Sequence, residues 1–238
     1  MSETILLALL LIPCLVIAIV FHEVAHGYVA LLLGDPTAKE RRRLSLNPLR
    51  HVDPVGTLVV PGLLALTGGP IFGWAKPVPV IKQRLDNPRF GMMAVAAAGP
   101  ATNFVLALVG ALLLGLSLSQ GMKLGYSEGG TPMIVDFVGN ISPLASFAFF
   151  MVLVNVFLAV FNLLPIPPFD GSHIVEGLLP PGAARVYERL RPFGMLLFLG
   201  LIAITWFAPG LNLLGNTIGV PVGWAVDQYL ALADTISN

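Results

Sequence analysis

Phe21-His22-Glu23-Val24-Ala25-His26-Gly27 sets three ionisable side chains inside a run that is otherwise apolar from Ile5 to Leu33, apart from Pro13, Cys14 and Tyr28. A helix over residues 4–33 is longer than the ~20 residues that cross a bilayer core. On such a helix the pattern His-Glu-x-x-His puts two imidazoles four residues apart on one face, able to grip one zinc ion. The carboxylate beside them can take a proton from water. Glutamate and histidine within a span are costly and usually functional. A polar trio bonded to neighbouring helices would use the same residues without a metal.

Of the 238 residues, 56% are hydrophobic and 11% are charged, and the mean hydropathy is +0.85. A soluble domain carries about 25% charged residues. The composition therefore predicts an all-α polytopic membrane protein in a lipid bilayer, with about four transmembrane helices. The formal net charge is zero and no Lys/Arg-rich tail is present, so no nucleic-acid partner is expected. A single cysteine, Cys14, excludes an intramolecular disulfide and a cysteine-built zinc site. Met-Ser-Glu-Thr has neither a basic n-region nor a small-residue cleavage site, so the first span is expected to be retained.

Spans are expected at about 4–33, 91–118, 144–164 and 193–214, the last with a kink at Pro209. The loop after the first carries Lys39, Arg41, Arg42, Arg43 and Arg50 and reads as cytoplasmic, which puts the N-terminus outside. The metal motif then lies within the bilayer, towards the cytoplasm. Residues 55–72 are apolar but broken by Gly56, Pro61, Gly62, Gly68, Gly69 and Pro70. A full crossing there would part the first basic loop from the equally basic Lys76, Lys82, Arg84 and Arg89. A re-entrant or broken-helix element instead keeps 12 of the 13 basic residues on one side, Lys123 being the exception. Such an element needs cover from protein or a watery cavity. Pro77 and Pro79 then make residues 73–81 unfit for a helix or a central strand. That segment suits a stiff surface loop or a short edge strand that pairs with an extended substrate. Residues 222–234 read as an amphipathic tail along the outer interface. No repeat and no separate soluble domain is evident, so residues 1–238 are expected to form one membrane-embedded domain.

A catalytic zinc needs three protein ligands and an open position for water. At membrane depth the third candidates are Asp170, His173 and, less readily, Glu176. Asp170 follows Pro165, Pro167 and Pro168 at about the depth of His26. An Asp-Gly pair also suits a turn, or the N-cap of a helix beginning near Ser172. His51 and His173 fit a supporting or surface role better than ligation. Histidine pairs within spans also line ion pathways. A metal-ion transporter, however, would be expected to show an inverted repeat or a second ligand cluster, and the sequence has neither.

Four separated motifs resemble the site-2 protease family of intramembrane zinc metalloproteases, in its compact bacterial-type branch. They are His22-Glu23-Val24-Ala25-His26, the run Asn47-Pro48-Leu49-Arg50-His51-Val52-Asp53-Pro54-Val55-Gly56, Gly99-Pro100-Ala101-Thr102-Asn103, and Asn162 through Gly171. Gly73-Trp74-Ala75-Lys76-Pro77-Val78-Pro79-Val80 is similar to a further segment of that branch. The resemblance implies that His22, His26 and Asp170 bind Zn2+ and that Glu23 is the general base. It also implies that Asn103 and Asn162 line the site, holding the substrate backbone or the developing oxyanion; interhelical hydrogen bonding is the alternative for both. The implied substrate is a transmembrane protein and the implied location a bacterial cytoplasmic membrane. Regulation is expected to involve a membrane partner or prior cleavage by another protease. A catalytically inert, membrane-protein-binding member of the fold would keep the same motifs. Phe169 stands where the family usually has leucine, a change in packing and not in ligand chemistry.

Overall fold

A computed structural model describes residues 3–60, 63, 73–118, 122–126, 130–207, 210 and 212–237. Pro143–Asn162 forms its central helix, opened by a proline at the first helical position, where no backbone donor is needed. Of the most apolar 18 residues on this helix, 61% are buried, against 22% on Glu3–Leu32 and 39% on Pro88–Ser117. These three helices are long and apolar enough to cross a membrane. They are named α1 (Glu3–Leu32), α2 (Pro88–Ser117) and α3 (Pro143–Asn162).

The start of α2 is fixed by Asn87, whose side chain accepts from Arg89 N and Phe90 N, with Pro88 next in line. The helix then buries Gly91, Val95, Gly99, Asn103, Ala107 and Ala111, mostly small residues four apart on one face. Such a stripe lets backbones come close. At Gly110 a Cβ would stand 2.9 Å from Met151 Cβ and 3.0 Å from Val152 N, so α2 and α3 meet there only through glycine.

After α3 the chain turns through Pro165–Phe169 into α4 (Asp170–Leu178), followed by α5 (Pro181–Glu188), α6 (Gly194–Phe207) and α7 (Val220–Ser237). Within the expected span 193–214, Gly194–Phe207 is helical; residues 208, 209 and 211 lie outside the described ones. The expected interfacial tail takes a different place. It is part of α7, whose Val226 packs with Ala107, Ala111, Val152 and Val156. Tyr229 Oη donates to Phe104 O at 3.0 Å. The spacing of Val226, Tyr229 and Ala233 fits the small-residue groove of α2, and burying that face favours the bundle over the surface.

The expected re-entrant element falls largely outside the described residues; of 55–72, only 55–60 and Leu63 are described. Pro54–Val59 forms a π-helical turn capped by Asp53. The strands also differ from expectation. An antiparallel pair, β1 (Lys123–Tyr126) and β2 (Pro132–Val135), lies between the expected spans 91–118 and 144–164. Residues 73–81 are extended but join no ladder, because their polar groups are taken singly by loops and side chains. Trp74 N donates to Gly56 O at 3.1 Å and Lys76 N to His51 O at 2.9 Å. Arg43 Nη2 donates to Lys76 O at 2.6 Å.

The far end of this segment is held by Asp35, a fully buried carboxylate just after α1. It accepts from Ile81 N at 2.6 Å, from Thr37 N at 3.0 Å and from the Thr37 hydroxyl. Burial opposes its charge, but these bonds and the nearby Arg84 outweigh that and hold the carboxyl below its usual range. An asparagine side chain in its place would turn an amide donor towards a backbone donor. Asp35→Asn is therefore expected to lower stability by about 1–3 kcal/mol, read as thermal unfolding in detergent. The contribution of the carboxylate is present above its unfolded pKa of about 3.9 and is lost as pH falls through the lower folded value.

Candidate metal centre

His22 and His26 sit one turn apart on α1, and the turn after α3 brings Asp170 against them. His22 Nε2 and His26 Nε2 are 3.0 Å apart. Asp170 Oδ2 lies 3.1 Å from the first and 3.4 Å from the second, and the three side chains are 9%, 12% and 19% exposed. This is the His/Cys/Asp/Glu group able to hold a metal ion among the described residues.

The outer faces of the imidazoles decide what their inner faces carry. His26 Nδ1 bonds to Val95 O at 2.7 Å and His22 Nδ1 to Asn103 Oδ1 at 2.6 Å. Both partners are acceptors, so each Nδ1 carries a proton and, in the neutral ring that binds a metal, each Nε2 a lone pair. Asp170 Oδ2 is buried, and beyond these two Nε2 atoms it meets no hydrogen-bonding group among the described residues. Three lone-pair atoms facing one another in a buried site repel unless a cation lies among them. Ligands ~2.0–2.1 Å from a tetrahedral zinc stand roughly 3.3 Å apart, which fits these separations.

α2 makes room for the cluster at Gly99. A Cβ there would lie 2.5 Å from His22 Cε1 and 2.6 Å from both His22 Nε2 and His26 Cε1. Asp170 is the first residue of α4, with Phe169 at the N-cap position and no side-chain cap, so its carboxylate does not serve as the cap considered from sequence. Phe169 packs edge-on against Phe161 at 4.6 Å and Phe198 at 5.0 Å between ring centroids. The α4 helix is clamped at its other end. Glu176 takes Lys82 at 2.6 Å and is also paired with Arg191, and His173 Nδ1 lies 3.2 Å from Arg191 Nη2. Burial opposes the Glu176 charge, but Lys82 and Arg191 outweigh it and hold the carboxyl below its usual range. Glu176 is thus spent on ion pairs and stands apart from the metal group, as does His173. His51 is buried, with Nε2 2.8 Å from Ser45 O.

The asparagines divide. Asn103 is fully buried, and its Nδ2 donates to Ala18 O at 3.2 Å and Asn155 Oδ1 at 2.8 Å. Both amide hydrogens are committed inside the bundle, so the expected substrate or oxyanion role gives way to interhelical bonding and support of His22. Asn162 Nδ2 donates to Leu158 O one turn back, at 3.0 Å. Glu23 is half-buried, and its Oε2 accepts from Val78 N at 2.7 Å. Sequence reading missed Val78, whose part is played by backbone, and the clearance at Gly99. It also missed Asn155, although an asparagine in so apolar a helix was a signal.

Two imidazoles and one carboxylate, with a glutamate beside them, match the donor types of a hydrolytic zinc site, which keeps a position open, and not those of a closed structural one. Known sequences agree: the chain belongs to peptidase family M50, the site-2 protease family, whose model matches residues 10–202. It is an integral membrane protein of metalloprotease type. Its relatives include "Putative zinc metalloprotease YwhC" of Bacillus subtilis (strain 168), 38% identical over 193 residues, which are 80% of this chain and 78% of that protein. "Putative zinc metalloprotease Rip2" of Mycolicibacterium smegmatis is 29% identical over 204 residues, 86% of this chain and 69% of the relative. The protein of the same name in Mycobacterium tuberculosis (strain H37Rv) is 28% identical over 211 residues, 89% and 70% of the two chains. No solved structure matches the chain.

Proposed function

We propose that this chain is an intramembrane zinc endopeptidase that cuts membrane proteins within or near their transmembrane segments, in regulated intramembrane proteolysis. The observation that carries the reading is the convergence of His22 Nε2, His26 Nε2 and Asp170 Oδ2 at 3.0–3.4 Å on apolar elements, with Glu23 between the histidines in sequence. His22, His26 and Asp170 would hold the metal. When bound, zinc supplies a Lewis acid that polarises the scissile carbonyl and acidifies a water near neutral pH. Glu23 accepts the proton of the attacking water and passes it to the leaving amine. Basic loops on one side of the spans support an N-terminus outside a bacterial cytoplasmic membrane and a site opening towards the cytoplasm.

A helical substrate has each carbonyl bonded four residues on, so it must unwind before attack. The extended segment 76–81 offers its backbone to the unwound strand. With prolines at 77 and 79, Val78 is the one N–H donor between Lys76 and Val80. A substrate carbonyl that takes this N–H releases Glu23 Oε2 for its work as base. Asn162, at the end of α3, is the amide we assign to the substrate backbone.

Metal analysis tests the centre. Purified wild type is expected to hold stoichiometric zinc, and Asp170→Ala to lose it together with cleavage of a model single-span substrate in proteoliposomes. Stoichiometric zinc with a tetrahedral shell in that variant would rule out Asp170 as third ligand. Metal flux that depends on His22, without proteolysis, would favour a transporter instead.

A further inference from the structure

Asn155 lies in the middle of α3, fully buried, on a helix otherwise apolar from Phe147 to Phe161. It stands one residue removed from the metal group, yet it anchors a directed chain of hydrogen bonds that ends there. Asn155 Nδ2 donates to Met151 O at 2.8 Å on its own helix, which turns its Oδ1 towards α2. That oxygen accepts from Asn103 Nδ2 at 2.8 Å, while Ala18 O on α1 takes the other amide hydrogen at 3.2 Å. With acceptors on that side, Asn103 presents its oxygen to His22 Nδ1 at 2.6 Å. Three helices thus share one network with a single direction of donation.

The direction matters because the two ends of an asparagine amide have nearly the same shape, so packing alone does not choose between them. Turned over, Asn103 would offer N–H to His22 Nδ1. The imidazole proton would then move to Nε2 and point at His26 and Asp170, and a protonated Nε2 binds no metal. Ala18 O opposes that turn with one hydrogen bond, and Asn155 Oδ1 opposes it with the shorter one. We infer that Asn155 is a positioning residue for the metal centre: by accepting from Asn103 it fixes that amide, and with it the His22 tautomer that leaves Nε2 free for a metal. The inference rests on the metal-centre reading above.

The test is the zinc affinity of the purified whole chain in detergent, read by competition with a chromophoric chelator, beside the Co2+ absorption spectrum. Asn155→Leu is expected to weaken zinc binding by about 10- to 100-fold and to alter the cobalt bands. Asn155→Asp keeps an acceptor oxygen towards Asn103 in either ionisation state and is expected to bind as wild type does. In an Asn103→Asp background the loss from Asn155→Leu should vanish, since both carboxylate oxygens accept from His22 whichever way the group is turned. A residue that merely joined α2 to α3 would lower the unfolding temperature and leave the zinc affinity and the cobalt bands of the folded protein unchanged. If leucine does not fold, Asn155→Ala carries the same comparison. Wild-type zinc binding in the apolar variant, or an equal loss in both backgrounds, overturns the relay and leaves the metal centre standing. A wild type that binds no zinc overturns both.

Discussion

Glu23→Gln is expected to abolish proteolysis while leaving the fold and the zinc in place. Glutamine has the shape of glutamate, and its carbonyl oxygen can still accept from Val78 N–H, the bond that Glu23 Oε2 makes at 2.7 Å. Neither imidazole nor Asp170 loses a partner. What disappears is the affinity for a proton, so the attacking water and the leaving amine lose their carrier. Removing a general base costs roughly 10^2- to 10^4-fold in rate. The measurement is cleavage of a model transmembrane substrate in proteoliposomes, beside zinc content and thermal unfolding of the same preparation. Undiminished cleavage would sink the role given to Glu23. Loss of cleavage together with loss of zinc would place its effect on the metal group instead.

The candidate centre was legible because its members are the wrong residue types for their surroundings. His22, Glu23 and His26 interrupt an apolar run, and Asp170 ends a proline-marked turn; each would be costly in a membrane without a purpose. Hydrophobic runs likewise foretold α1, α2 and α3. The parts that stayed hidden depend on backbone and on geometry between distant segments. Val78 acts through its N–H, which every residue but proline has. Gly99 acts through what it lacks, and a glycine among small residues on a packed helix does not say which neighbour needs the space. Residues 222–234 are amphipathic enough for a membrane surface, and only the groove of Ala107 and Ala111 on α2 decides that they join the bundle. Asn103 stands out in its motif, but its role follows from which atoms it meets. With Asn155 Oδ1 and Ala18 O taking its two amide hydrogens, and His22 Nδ1 on its oxygen, it has none left for a substrate.

Gly99→Ala is expected to empty the centre without unfolding the protein. A Cβ at this position would lie 2.5 Å from His22 Cε1 and 2.6 Å from His26 Cε1, distances that side chains do not sustain. The rings have no easy retreat, because Asn103 Oδ1 holds one at 2.6 Å and Val95 O holds the other at 2.7 Å. Either these bonds break or α2 moves away from α1, and in both cases the two Nε2 atoms no longer converge with Asp170. Overpacking costs about 1–3 kcal/mol, and alanine returns up to about 1 kcal/mol of helix propensity over glycine. The helices should therefore survive while stoichiometric zinc and cleavage are lost together, as metal analysis, far-UV circular dichroism and the substrate assay would record. Gly110→Ala separates this local clash from general crowding of α2. Its Cβ would meet Met151 and Val152 at 2.9–3.0 Å, far along the helix from the imidazoles. That variant is expected to melt earlier yet keep its zinc. Wild-type zinc in Gly99→Ala would mean that the clearance at Gly99 serves packing and not the metal.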